Sequence, residues 1–239
     1  MQSSPINWYL TAPQTCPYLE DREMQTVLVD PALSLEDRHY GDLLARGFRR
    51  SGQFVYRHQC PRCNACVPVR IPVHAFRPNR AQRRCLRRNA DLDACIVTQP
   101  DLDEHVQLLR RYLASRHPGG GMEHTTRTDY AGMLSDRNCG VLLIEFRRGP
   151  VLLAVAVTDH TPQGLSAMYT FFDHDLPERS LGTFAILQQI EEARHRDLPH
   201  LYLGYWIPGS GKMGYKTRFQ PVEGLIGGRW QRLGAGANG

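Results

Sequence analysis

Lysine is nearly missing from this chain: of 29 basic residues only Lys212 and Lys216 are lysines. Almost every cation is therefore a guanidinium, a rigid fork of donors and not a compact ammonium. Acid is missing locally. Between Arg46 and Ala90 there are twelve arginines and no aspartate or glutamate, which excludes neutralisation by ion pairs within that stretch. Long apolar runs are missing too. The longest, Val141–Val157, is broken by Glu145, Arg147, Arg148, Gly149 and Pro150, so it reads as two buried strands and a turn, not a membrane span. Met1–Leu10 has neither the charge nor the apolar region of a secretory leader, and a cytoplasmic location is the expectation. Seven cysteines without such a leader argue against a disulfide framework and for thiol or metal chemistry. No repeat of solenoid length is present.

What is there is ordinary in bulk: 41% apolar and 22% charged residues over 239 positions, with a net charge of +5, enough chain for one large domain or two small ones. Residues 1–90 are rich in Pro, Arg and Cys and read as irregular, apart from a helix over Leu35–Arg46 ended by Gly47. A strand at Val67–Val73 follows, assigned to a sheet edge by its prolines, and then a helix over Arg80–Asp91. From Asp91 the elements alternate regularly. A short strand at Cys95–Val97 precedes a helix marked by Leu102, Val106, Leu109 and Leu113, a loop at Pro118–Gly121 and a helix at Asp129–Leu134. Strands follow at Val141–Phe146, Val151–Thr158 and Leu165–Phe172, then a helix N-capped by Ser180, a strand at Leu201–Tyr205, a loop or helix over Lys212–Phe219, and a last strand near Arg229–Leu233. Gly234–Gly239 reads as a frayed tail. The order from Asp91 predicts an α/β fold with an N-acetyltransferase-like (GNAT) domain at 91–239, preceded by a smaller cysteine- and arginine-rich domain at 1–90.

Four patterns carry chemistry. Cys60, Cys63 and Cys66 are spaced so that a loop can turn successive sulfurs toward one centre, with Cys16 beside Pro17 as the natural fourth ligand; a [4Fe–4S] cluster, Zn²⁺ and ordinary buried thiols are the alternatives. Cys85, Cys95 and Cys139 read as core residues. Arg80, Arg84, Arg87 and Arg88 fall on one helix face with Arg83 at its margin, and a face of one sign suits a polyanion such as transfer RNA. Lys212 and Lys216 lie four apart in the run Leu203–Lys216, where a compact ammonium suits a tight pocket for a carboxylate or phosphate. Arg179-Ser180-Leu181-Gly182-Thr183 half-matches the loop that cradles an acyl-CoA pyrophosphate at a helix N-terminus, with Phe184 in place of a small residue crowding that approach.

These residues resemble the arginyl-tRNA–protein transferase family, and more closely its bacterial branch, the aspartate/glutamate leucyltransferases. The resemblance rests on Tyr9-Leu10-Thr11-Ala12-Pro13 through Cys16-Pro17-Tyr18-Leu19, Gly47-Phe48-Arg49-Arg50-Ser51, Cys60–Arg70, Gln82-Arg83-Arg84 to Asn89-Ala90-Asp91-Leu92, and Arg116–Met122. It continues with Tyr169-Thr170-Phe171-Phe172-Asp173, Ser180–Phe184 and Tyr202–Lys216. His174 departs from it, since the family has proline there. The resemblance implies transfer of leucine from an aminoacyl-tRNA to proteins with N-terminal Asp or Glu, marking them for degradation by the N-end rule pathway. It also implies an acetyltransferase-like fold and an iron–sulfur or zinc role for Cys16, Cys60, Cys63 and Cys66.

An aminoacyl ester is already activated and an α-amine is partly unprotonated at neutral pH, so such an enzyme has mainly to align the two and stabilise the oxyanion. Lys212, Lys216, Arg179 and Arg218 are the candidate cations for the acceptor, and Tyr169, Asp173, Tyr205 and Tyr215 the candidates to orient the amine or relay its proton. No single general base follows from sequence. An acyl-CoA-dependent N-acetyltransferase and a non-enzymatic, metal-dependent RNA-binding module are the alternatives.

Overall fold

Alternation, broken only at bulges, builds the long strands Val151–Thr161 and Gly164–Phe172 of the second half, which bury their two faces in different cores. The computed structural model describes residues 6–116, 124–134 and 138–234; the expected loop at Pro118–Gly121 and the tail beyond Gly234 lie outside them. The first part of the chain carries β1 (Trp8–Leu10), β2 (Gln14–Thr15), β3 (Glu23–Met24), β4 (Thr26–Val29), α1 (Asp37–Ala45), β5 (Arg49–Ser51) and β6 (Phe54–His58). Next come β7 (Val67–Pro72), α2 (Arg80–Arg88), β8 (Asp93–Val97), α3 (Leu102–Arg116), α4 (Arg127–Met133), β9 (Gly140–Arg148), β10 (Val151–Thr161) and β11 (Gly164–Phe172). The rest is α5 (Leu181–His195), β12 (His200–Trp206), a 3-10 turn at Gly214–Arg218, β13 (Val222–Ile226) and β14 (Arg229–Leu233).

An eight-stranded, mostly antiparallel sheet runs β14-β13-β7-β12-β11-β10-β9-β8. Ala154 and Ala156 of β10 join the core containing α5 residues Leu181, Phe184 and Leu187, and Val155 and Val157 join the core of α3 residues Val106, Leu109 and Leu113. The period of two is thus a division between two cores. β11 and β12 are parallel and pair only at Leu165 with Leu201 and Ser166 with Tyr202. Beyond that the two strands part, and the gap between them opens the candidate site.

Residues 6–66 differ from the irregular reading. They hold a four-stranded sheet, β1-β4-β6-β5, and the small β2–β3 pair. β7 also differs from expectation. It lies inside the large sheet between β12 and β13, not at an edge. Its prolines are tolerated because β13 pairs only with Val69 and Arg70, leaving Pro68 and Pro72 outside that short ladder. β7 and α2, which precede the expected division at residue 90, therefore belong to the large sheet and its α5 layer. The N-terminal part is locked on by a buried ion pair: Arg50 Nε donates to Asp159 Oδ1 at 3.0 Å and Tyr40 Oη to Asp159 Oδ2 at 2.8 Å, with both charged side chains fully buried. No helix among the described residues is long and apolar enough to cross a membrane.

Candidate active site

The divergence of β11 from β12 leaves a cleft of about 500 Å³, walled by β11, the start of α5, the end of α3, β5 and the Gly214–Arg218 turn. Its apolar lining includes Met168, Phe172, Leu176, Ile186 and Leu203. Arg49, Arg116 and Lys216 line it as well, with Tyr112, Tyr169 and Tyr215, and no aspartate or glutamate among the described residues lines the cleft. The α5 N-terminus opens onto it through Ser180–Thr183, adding the positive end of a helix dipole.

Lys216 is buried, donates from Nζ to the Tyr205 carbonyl, and appears in no ion pair among the described residues. Burial, and then the Arg49 guanidinium, push it down to about 7: loss of water and a neighbouring cation both disfavour the ammonium. Burial raises the Tyr169 phenol to about 12, so it stays protonated and able to donate. Tyr215 lines the cleft and remains 42% exposed.

Several expected site residues stand elsewhere. Tyr205 is buried, its hydroxyl donating to the Gly47 carbonyl at 3.0 Å and accepting from His58 N–H at 3.3 Å. It joins the two sheets and offers the cleft none of its side chain. Asp173 accepts from the Asp175 N–H at 3.0 Å, shaping the turn after β11, while its neighbour His174, the departure from the family pattern, does line the cleft. Arg179 is held by Asp91 through two bonds of 2.8 Å, which in turn hold the Asp91 carboxyl down to about 2. Lys212 and Arg218 are exposed and outside the lining. Ser180 stands at the start of α5 with φ 54° and no capping hydrogen bond from its side chain. Phe184 does not crowd the helix N-terminus, for its ring packs on Phe146 at 5.5 Å in the core. Of the expected catalytic and acceptor-binding residues, the structure gathers Tyr169, Tyr215 and Lys216.

Arg49 was not among the expected site residues, although it stands in the Gly47–Ser51 stretch. Its signal was Gly204. A glycine within an apolar strand marks a close approach of something to the backbone, and here a Cβ at Gly204 would lie 1.8 Å from Arg49 Nη1.

The arginine helix α2 is well formed. Asn79 and Gln82 cap it reciprocally, a pairing of two otherwise orphaned N–H groups. Arg80, Arg83, Arg84, Arg87 and Arg88 are all exposed; Arg83 and Arg88 also donate to the Pro78 and Glu178 carbonyls. Gln82 Nε2 donates to the Arg218 carbonyl at 3.1 Å, which ties this helix to the turn that carries Tyr215 and Lys216.

The four expected ligand cysteines lie in one region. Burial, and then Cys60, Cys16 and Cys63, raise the Cys66 thiol to about 12, and Cys60 and Cys63 face each other across an isolated antiparallel bridge. Such a donor set is of the kind that thiophilic metals take. Among the described residues, however, no three His, Cys, Asp or Glu are grouped so as to hold a metal ion. The chemistry of the set fits, while its sulfurs are not drawn together around one centre. Cys85 and Cys139 are buried as expected, whereas Cys95 is exposed, because β8 is an outer strand of the sheet.

Two family models match the chain. The one described as arginine-tRNA-protein transferase, N terminus, matches residues 14–84, and the one described as arginine-tRNA-protein transferase, C terminus, matches residues 104–226. Among similar curated proteins, the aspartate/glutamate leucyltransferase of Thiobacillus denitrificans is 48% identical over 230 residues, covering 96% of each chain. Those of Marinobacter nauticus and Nitrosococcus oceani are 46% and 47% identical, with coverage of 95% of this chain and 95% and 96% of theirs. Among solved structures, a C-terminal DUF2156 domain from Agrobacterium fabrum is 20% identical over 65% of this chain and 51% of that one, with a TM-score of 0.47, too low to bear on the fold.

Proposed function

Because the chain belongs to the arginine-tRNA-protein transferase family, we propose that it transfers leucine from leucyl-tRNA to the α-amino group of proteins beginning with aspartate or glutamate, and so marks them for N-end rule degradation in the cytoplasm. The observation that carries this reading is the composition of the cleft: apolar side chains of a kind that hold a leucyl group, together with Arg49, Arg116 and Lys216, and no carboxylate among the described lining residues. An arginyl donor would bring a guanidinium among these cations with no counter-charge among the described lining residues, and that repulsion favours leucine.

The chemistry asked of the cleft is modest. The acceptor amine attacks the ester carbonyl, the C–N bond forms, and the ester C–O bond breaks to release the 3′-terminal ribose hydroxyl. The amine's proton must leave and the departing ribose oxygen must gain one, and Lys216, whose amine is half unprotonated near neutral pH, would take the first and return it to that oxygen. The dipole of α5 suits the developing oxyanion. A GNAT-like architecture is supported by the element order from β8 onward and by the parting of β11 from β12. The exposed arginines of α2 would carry the tRNA, since the tie from Gln82 to Arg218 sets that surface beside the cleft. Cys16, Cys60, Cys63 and Cys66 would hold a [4Fe–4S] cluster or Zn²⁺ that braces the N-terminal part; no step of the transfer runs through it.

The test is a transfer assay with labelled leucyl-tRNA and peptides starting with Asp or Glu, run beside labelled arginyl-tRNA and acetyl-CoA. Label is expected from leucyl-tRNA. Label from acetyl-CoA alone, or from no donor, overturns the reading.

A further inference from the structure

We propose that Arg49 is the side chain that reads the acidic first residue of the acceptor protein, and that Gly204 is the positioning residue that lets its guanidinium lie in the cleft. The inference rests on the transfer reading above and assigns the recognition step within it.

Arg49 enters on β5, opposite Tyr56 of β6, and its side chain crosses β12 at Gly204. A Cβ there would lie 1.8 Å from Arg49 Nη1 and 2.0 Å from its Cζ. Gly204 has φ +74° and sits at the register shift between β12 and β7, so the strand both bulges and lacks a side chain where the guanidinium rests. Any other residue would suffer the left-handed backbone and push Arg49 out.

The group so seated is unspent. Among the described residues, Arg49 Nε is buried without a hydrogen-bond partner and no ion pair includes Arg49. A buried donor left unpaired is a standing cost that an arriving acceptor removes. A carboxylate does so with charge as well, against a planar fork matched to its two oxygens.

The other cations are less suited. Arg50 is committed to Asp159, and Arg179 to Asp91. Lys216 is spent on the Tyr205 carbonyl and carries a charge that comes and goes near neutral pH. Arg116, the last residue of α3, is exposed at the rim. Arg49 is thus the permanent charge inside the cleft, with a stem long enough to meet carboxylates differing by one methylene.

The experiment compares peptides identical except for a first residue of Asp, Glu, Asn or Gln, and reads the Asp:Asn ratio of kcat/KM. Arg49→Gln is expected to lower that ratio by about 30-fold or more, the loss that follows removal of one partner of a desolvated charge pair. Arg49→Lys is expected to recover part of it. Gly204→Ala is expected to lower it with the guanidinium still present in the chain. A ratio in Arg49→Gln within about threefold of the parent's, far below that expected loss, overturns the proposal. If Arg49→Gln transfers nothing, equilibrium binding of the Asp and Asn peptides to the variant, with its fold checked by circular dichroism, gives the same ratio and is held to the same limit. A parent that modifies Asp and Asn peptides equally refutes the role of Arg49 and leaves leucine transfer standing. A parent that modifies no peptide refutes the transfer reading instead.

Discussion

At the scale of single residues, the cleft separates two nitrogens that the sequence made look alike. Lysine scarcity pointed to Lys212 and Lys216 together, yet only Lys216 is buried in the site, while Lys212 stays on the exposed loop. Rarity identifies the segment, but burial decides the role. With Lys216 held down to about 7, kcat is expected to rise through pH 7 as the amine loses its proton, an inflection separate from that of the acceptor amine at about 7.7–8.0. A pH–rate profile of Lys216→Met that kept this inflection would remove the lysine from proton transfer. Stability carries the same sign. From about pH 7 up to the ordinary lysine value the unfolded chain holds a proton that the folded chain has released, so folding is favoured increasingly with pH. The melting temperature of the parent should therefore climb relative to that of Lys216→Met across this window. Arg49 was hidden because one arginine among twelve in an acid-free stretch has no distinguishing neighbour in sequence. Only its seat on Gly204, far along the chain, sets it apart.

At the scale of elements, legibility followed the length of the apolar pattern. β9, β10, β11 and α5 were readable because their burial repeats over nine or more residues, and the expected spans fall within or close to the observed ones. β1 to β6 were not, since they are two to five residues long and draw their stability from pairing with one another, not from a pattern of their own. β7 misled for a related reason: proline forbids a ladder hydrogen bond at its own position, not along the whole strand. α2 was legible as a helix and as a one-sided charge, and its role is open to measurement. Replacing Arg84 and Arg87 by Gln should weaken tRNA binding and flatten the slope of log K against log salt by about 1 for each phosphate no longer neutralised. A slope unchanged in the double variant would take the helix out of the tRNA interface.

At the scale of the whole molecule, the buried Arg50–Asp159 pair joins β5 to β10 and makes the stability of the two sheets one quantity. Arg50→Met leaves Asp159 buried without its counter-charge, which should destabilise the protein by about 3–5 kcal/mol, read as a lower urea midpoint. The two sheets are expected to unfold in a single transition in the parent, and separate transitions would contradict the coupling. Tyr205 works in the same direction by holding Gly47, two residues before Arg49, so the bond that joins the sheets also fixes the cation of the cleft.

The place of β7 has a consequence for how the molecule is made. It ends at Pro72, and its partners begin at His200 and Val222, so during synthesis this strand leaves the ribosome long before anything exists to flank it. Until β12 and β13 follow, the arginine-rich segment around it has no sheet to enter, and Gly204 has not arrived to receive Arg49. The nascent chain therefore cannot display a half-formed leucine-transfer site to the tRNAs crowding the ribosome, and competence comes only when the last strands are laid in.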